Sequence, residues 1–149
     1  PKPLAIGHPS KNYPWDWSIY QWIEGESANT LQSHDLNLNS IALNLAQFLN
    51  EFHRIETTNG PAPGLHNYHR GDSPRVYDAE TRALIFQLRD SINVNAATAV
   101  WEKAISSKWN HDSVWVHGDF ASGNILIKNK CLASVIDFGC MAVGVQAVS

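Results

Sequence analysis

The stretch His117-Gly118-Asp119-Phe120-Ala121-Ser122-Gly123-Asn124, followed by Ile136-Asp137-Phe138-Gly139, decides how this chain is read. It sets a carboxylate, an amide five residues later, and a second carboxylate beyond two short apolar runs. Val114-Trp115-Val116 is a β-prone run that delivers His117 and Asp119 to its end, and Ser122 and Gly123 are turn residues. Ile125-Leu126-Ile127 and Leu132 to Ile136 flank the polar break Lys128-Asn129-Lys130, which predicts a β-hairpin. Asn124 stands just before the outgoing strand and Asp137 just after the returning one, so the hairpin brings both to the same end. Taken singly, Asp119 reads as a turn or capping residue, Asn124 as an Asx-turn and Asp137 as a strand terminator. Taken together they are the groups that magnesium-dependent phosphoryl transfer requires. One carboxylate holds the acceptor hydroxyl, and hard oxygen ligands hold the cation against nucleotide phosphates.

The segment resembles the catalytic core of the aminoglycoside phosphotransferase and choline kinase family, relatives of the protein kinases. Protein kinases carry His-Arg-Asp, an Asn five residues after that Asp, and then Asp-Phe-Gly. Here Gly118 stands in place of the Arg, the form found in the small-molecule kinases. The resemblance implies an α+β fold: the helical C-terminal lobe of a protein-kinase-like fold with a catalytic-loop β-hairpin. It implies Asp119 as the catalytic base or hydroxyl-orienting carboxylate, and Asn124 and Asp137 as magnesium ligands. His117 is grouped with Asp119 as a catalytic candidate, with orientation of the loop by hydrogen bonding as its alternative role. ATP and magnesium are the expected cofactors, and a small hydroxylated molecule the expected acceptor.

Towards the start, residues 1 to 17 are rich in proline and aromatics and read as irregular structure. Ser18-Ile19-Tyr20-Gln21-Trp22-Ile23 is an apolar, β-branched run that ends at Glu24-Gly25-Glu26, a strand followed by a turn. By the resemblance it is the last strand of the nucleotide lobe and the hinge, so that backbone at Gln21, Trp22 and Ile23 would bind an adenine. The implied organisation is residues 1–27 as strand and hinge and residues 28–149 as a partial helical catalytic lobe.

Leu38, Ile41, Leu45, Phe48, Leu49 and Phe52 recur at three- and four-residue intervals, one face of a helix with Asn37 or Asn39 as its N-cap. His53 then falls in the last turn, where a histidine favours the helix dipole. Residues 57 to 76 form a long polar loop, and loops of that length are often functional or mobile. His66 and His69 in this loop have no further Cys/His cluster to complete a zinc site. Asp78 is the expected N-cap of a helix running toward Ser91, with Tyr77 as a staple. Asn95 is expected to open another, burying Ala97, Val100, Trp101, Ala104 and Ile105 and ending near Ser107.

A length of 149 residues suffices for one ordinary core, and 44% hydrophobic content with mixed charge describes a globular chain. A net charge of −3 gives no electrostatic case for a nucleic-acid polymer or a membrane surface. No apolar run approaches membrane-spanning length, no secretory signal is visible, and Cys131 and Cys140 make no disulfide framework, so a cytoplasmic location is expected.

The chain opens at Pro1 without a methionine, and neither a glycine-rich loop nor a phosphate-contacting lysine precedes the hinge run. After Asp-Phe-Gly, family members commonly continue Gly-Asp-Pro and then Asp-Leu; this chain reads Gly144-Val145-Gln146-Ala147-Val148-Ser149. The expectation is a partial chain lacking most of the N-terminal lobe and the C-terminal helices, a truncated or frame-disrupted reading frame, with little turnover alone. Against the phosphotransferase stands a non-catalytic kinase-like remnant that binds a partner or forms a homo-oligomer through an exposed strand edge near Ser18 to Ile23. A protein kinase ranks lower, since Gly118 replaces the Arg and no Ala-Pro-Glu element follows.

Overall fold

The computed structural model describes residues 2–145, so the divergent end at Gln146 to Ser149 lies outside the described residues. In chain order the elements are β1 (Pro3–Gly7), β2 (Trp17–Tyr20), β3 (Glu26–Ser27), α1 (Leu38–His53), α2 (Asp78–Gln87), α3 (Val94–Ser106), β4 (Val114–Val116), β5 (Ile125–Lys128), β6 (Cys131–Val135) and β7 (Ala142–Gly144). The architecture is α+β. The chain divides into two compact units, Pro1–Leu45 with Ala121–Ile136 and Ala46–Phe120 with Asp137–Ser149.

In the first unit β1 and β2 pair antiparallel, with Gly7 opposite Trp17. A Cβ on Gly7 would stand 1.9 Å from the Trp17 ring, so glycine is what lets the indole lie on the strand. The expectation of irregular structure up to residue 17 is therefore corrected for Pro3–Gly7. A proline is tolerated at the first position of a strand, and Leu4 and Ile6 supply the alternation. The predicted run to Ile23 is also shortened, because β2 stops at Tyr20. One of its two edges pairs with β1 in this two-stranded sheet.

The predicted hairpin forms from β5 and β6, Leu126 facing Ser134 and Lys128 facing Cys131. Asn129 and Lys130 turn it with φ of 53° and 66°, the two successive positive values of a tight hairpin turn that matches strand twist. β3 adds to its other edge through Glu26–Ile127 and Ser27–Leu126. Asn37 caps α1: its Oδ1 accepts from the Ser40 N–H at 3.2 Å, while its own N–H donates to the Lys130 carbonyl at 2.8 Å.

In the second unit α1 ends at His53, as its periodicity requires. The loop at 57–76 is held by backbone bonds to β7 and the residue after it: Val143 N–H donates to the Pro61 carbonyl and Val145 N–H to that of Gly71, each at 2.8 Å. The opposite edge of β7 pairs antiparallel with β4, Val116 facing Ala142. Ala142 is fully buried.

Three helix expectations are corrected. Asp78 is the first helical residue of α2 rather than its cap, because the turn Pro74–Tyr77 runs straight into it. α2 ends at Gln87, short of Ser91, where a reversal from Leu88 begins. α3 is capped two residues earlier than expected, by the Asn93 Oδ1 accepting from Ala96 N–H at 3.0 Å. On its face Ile105 is buried, but Val100 is 71% exposed.

Freed from capping, the Asp78 carboxylate accepts from the Trp101 indole N–H at 2.7 Å and pairs with Arg82 at 2.9 Å, tying α2 to α3. The Trp101 bond first, and Arg82 second, hold this carboxyl below the usual carboxylate range. A lowered folded-state value means that the unfolded chain takes up the proton more readily. The contribution is then complete above the ordinary Asp value of about 3.9 and is lost as pH falls through the lower folded value. Asp78→Asn is expected to lower the melting temperature at neutral pH and to flatten its decline below about pH 4, measured by thermal unfolding across that range.

Candidate active site

The loop leaving β4 is built around a ring cluster. His117 is 3% exposed, its imidazole 4.7 Å from the Phe138 ring and edge-on to Phe120 at 5.7 Å. Phe48 and Phe52, four apart on α1, stack at 5.6 Å and also meet Phe138. Each such ring pair adds about 0.5–1.5 kcal/mol beyond area burial. The helix periodicity that marks Phe48 and Phe52 as core thus anchors both the loop after β4 and the middle residue of Asp-Phe-Gly. Within the loop, the Asp119 backbone N–H donates to His117 Nδ1 at 3.3 Å. Through that bond the buried imidazole holds the backbone of the loop.

Gly118 has φ of +81°, and a Cβ there would lie 2.1 Å from the Cys140 carbonyl oxygen. No L-side chain fits that position without backbone movement. This is the physical reason for glycine where a protein kinase has arginine.

Asp119 is paired with a residue that the sequence reading passed over. Arg70 Nη1 lies 3.1 Å from Asp119 Oδ1, and the same nitrogen donates to the Gly118 carbonyl. Arg70 is placed by Asn67, the one fully buried large polar side chain among the described residues. The Asn67 amide donates to the Arg70 carbonyl at 3.0 Å and to the Cys140 carbonyl at 3.3 Å, and its Oδ1 accepts from Gly64 N–H at 2.9 Å. Arg70 and Asp119 side chains are 38% and 41% exposed, so their pairing stabilises the fold by only about 0.2–1 kcal/mol. Loop length was the sole sequence signal for this arrangement; nothing in the spacing singled out Arg70.

Asp137 adopts left-handed backbone geometry, φ 64° and ψ 67°, and its carboxylate accepts from Gly139 N–H at 3.4 Å. Backbone of this kind in a residue other than glycine is strained and concentrates at functional sites. His117, Asp119 and Asp137 belong to one unit. Asn124 belongs to the other, together with Gln21, Trp22 and Ile23. Asn124 closes a single helical turn, Ser122–Asn124, and its carbonyl accepts from Ile136 N–H at 2.9 Å. The hairpin ladder therefore runs to the residue immediately before Asp137.

No cluster of three or more His, Cys, Asp or Glu side chains able to hold a metal occurs among the described residues. Taken each within its own unit, the exposed Asp137 carboxylate and the Asn124 amide are hard oxygen donors of the kind magnesium takes, one or two from protein with phosphate and water completing the shell. Among the acidic side chains, Glu24 is paired with Lys128 at 2.5 Å and Asp72 lies 3.5 Å from His69.

Two cavities border these groups. One of about 600 Å³ in the second unit is lined by His53, Arg70, Asp72, Trp101, Gly118 and Phe120, among others. One of about 270 Å³ in the first unit is lined by Tyr20, Gln21, Trp22, Ile23, Leu126 and Ile136, among others.

The model of the phosphotransferase enzyme family matches residues 1–147. The chain belongs to that family. A comparison with curated protein sequences finds no match. Among solved structures, the chain is similar to aminoglycoside phosphotransferase APH(2'')-IIa in its ternary complex with streptomycin and ATP, at 19% identity and TM-score 0.50. It is also similar to APH(2'')-IIa with gentamicin, at 21% and 0.49, and to ADP-bound APH(2'')-Ib, at 20% and 0.49. Each match covers 96% of this chain and 49% of the other, so the chain spans about half the length of the structures it matches. Likeness at this identity shows the fold, the kinase-like fold that the hairpin and helices imply.

Gly118→Ala tests the interlock of the phosphotransferase loop. It is expected to cost about 3 kcal/mol or more, combining left-handed strain with the clash on Cys140, measured by urea unfolding. Unchanged stability would mean that the loop does not adopt this geometry.

Proposed function

We propose that this chain carries the helical catalytic lobe of an ATP- and magnesium-dependent O-phosphotransferase acting on a small hydroxylated molecule. The observation that carries the reading is the setting of Asp119. Its backbone N–H is held by the buried His117, its carboxylate pairs with Arg70, and its neighbours Gly118 and Phe120 line the 600 Å³ cavity. In that arrangement an acceptor hydroxyl directed at Asp119 has its proton held as the oxygen bonds to the γ-phosphorus and the bond to ADP breaks. His117 fixes the loop. Asn124 and Asp137 would hold magnesium, which supplies charge neutralisation on the phosphates. Backbone at Gln21, Trp22 and Ile23 would take the adenine, a placement supported by the cavity they line. Residues 1–27 then serve as strand and hinge, and residues 28–149 as catalytic lobe.

Aminoglycosides are the first acceptors to try, because the solved relatives are aminoglycoside phosphotransferases. Choline-like alcohols, sugars and homoserine follow. Dependence on ATP suits a cytoplasmic location, and no helix among the described residues is long and apolar enough to cross a membrane.

A second reading, the non-catalytic remnant, is favoured by one feature of the first unit. Trp22 is 85% exposed, Ile6 72% and Trp15 67%, an apolar surface suited to a partner or a second copy.

ATP consumption in the presence of gentamicin, streptomycin, choline and homoserine decides between the two. The expected result is turnover that is small in absolute rate yet lowered at least about 100-fold by Asp119→Ala, the usual contribution of a positioned acid or base. Equal rates with and without Asp119, together with an oligomer on size exclusion, would establish the remnant.

A further inference from the structure

We propose that Arg70 is a positioning residue for the Asp119 carboxylate; the inference rests on the phosphotransferase reading and deepens it. One guanidinium nitrogen reaches both Asp119 Oδ1, at 3.1 Å, and the carbonyl of Gly118, the residue before it. A single donor group thus ties the reacting side chain to the backbone that carries it, which fixes the carboxylate's direction rather than only its charge.

The arginine is itself fixed from behind. Its carbonyl is held by the buried Asn67 amide and its N–H donates to the Asn67 carbonyl at 3.2 Å. The next residue, Gly71, accepts from Val145 N–H. A Cβ on Gly71 would have only ordinary contacts with Val116 and Pro63, but its φ of +87° is a glycine conformation, and it sends the chain away directly after Arg70. Both sides of Arg70 are therefore anchored, and the side chain spans from that anchor to the catalytic loop.

The exposure of the pair decides what it is for. Two partners about two-fifths exposed contribute little to folding. A carboxylate that must meet an acceptor hydroxyl within hydrogen-bond reach is far more sensitive, since a displacement of about 1 Å lowers rates on the order of 100-fold. Arg70 also lines the 600 Å³ cavity beside Gly118 and Phe120. From there it reaches Asp119, whose chain neighbours Gly118 and Phe120 line the same cavity. Lysine reproduces the role only in part, because its ammonium keeps the charge on a flexible stem that is less pre-organised than the guanidinium.

The test measures Mg-ATP consumption with gentamicin, and with water alone as acceptor, in the wild-type chain, Arg70→Gln, Arg70→Lys and Asp119→Asn, with melting curves for each. Arg70→Gln is expected to lower kcat about 10- to 100-fold, with KM for ATP and gentamicin within about threefold and melting nearly unchanged. Arg70→Lys should retain an intermediate kcat. A wild type with Asp119-dependent turnover that Arg70→Gln matches in kcat sinks the positioning role alone. A wild type no faster than Asp119→Asn sinks the phosphotransferase reading and this role with it. Should Arg70→Gln fail to fold, Arg70→Lys is read by itself: a kcat several-fold below wild type supports the role, and an unchanged one overturns it.

Discussion

A single buried amide, that of Asn67, is the constraint on which the second unit turns. An amide withdrawn from water costs several kcal/mol unless its donors and acceptor are matched. Here the acceptor takes the Gly64 N–H and the donors reach the carbonyls of Arg70 and Cys140. Those three partners lie in two places far apart in sequence, the long loop and the turn after Asp137. Satisfying one side chain therefore joins the loop to the Asp-Phe-Gly element. The left-handed backbone at Tyr68 and His69, both at φ 56°, is strain that this satisfied network holds in place.

The join propagates through close backbone approaches. Cys140, whose carbonyl receives Asn67, is also the residue that leaves no room for a side chain at Gly118. Gly144 repeats the device one strand later, where a Cβ would stand 2.1 Å from the Gly71 carbonyl oxygen. His-Gly-Asp, Asp-Phe-Gly and the loop bearing Arg70 are thus locked to one another by carbonyls and glycines. Side-chain charge contributes little to that lock. It supplies what the lock then aims.

Much of this was legible in the residues. The three- and four-residue spacing of Leu38 to Phe52 fixed α1, and the polar break at Lys128 to Lys130 fixed the hairpin, because both patterns are local and single-valued. β1 was missed because Pro3 and Pro9 suggest coil, whereas a strand tolerates proline at its first position. Asp78 and Asn95 were misplaced as caps because the turn Pro74–Tyr77 shifts the helix start, and because Asn93 offers an equally good oxygen two residues earlier. Arg70 was not legible at all. Its pairing with Asp119 spans nearly fifty residues and depends on Asn67, whose burial no local pattern announces.

Burial divides the labour in the second unit. The residues that orient are withdrawn from solvent: Asn67 is at 0% and His117 at 3%. The carboxylates that would do chemistry are not, with Asp119 at 41% and Asp137 on the surface. A carboxylate must stay accessible to meet an acceptor or a hydrated cation, and an accessible side chain is held only weakly by its own contacts. Its direction has to come from a rigid scaffold beneath it. That requirement accounts for a fold shared over 96% of this chain with a solved structure at only 19% identity. What must persist is a buried frame with the right backbone approaches, and many sequences outside the few chemistry-bearing positions can build one.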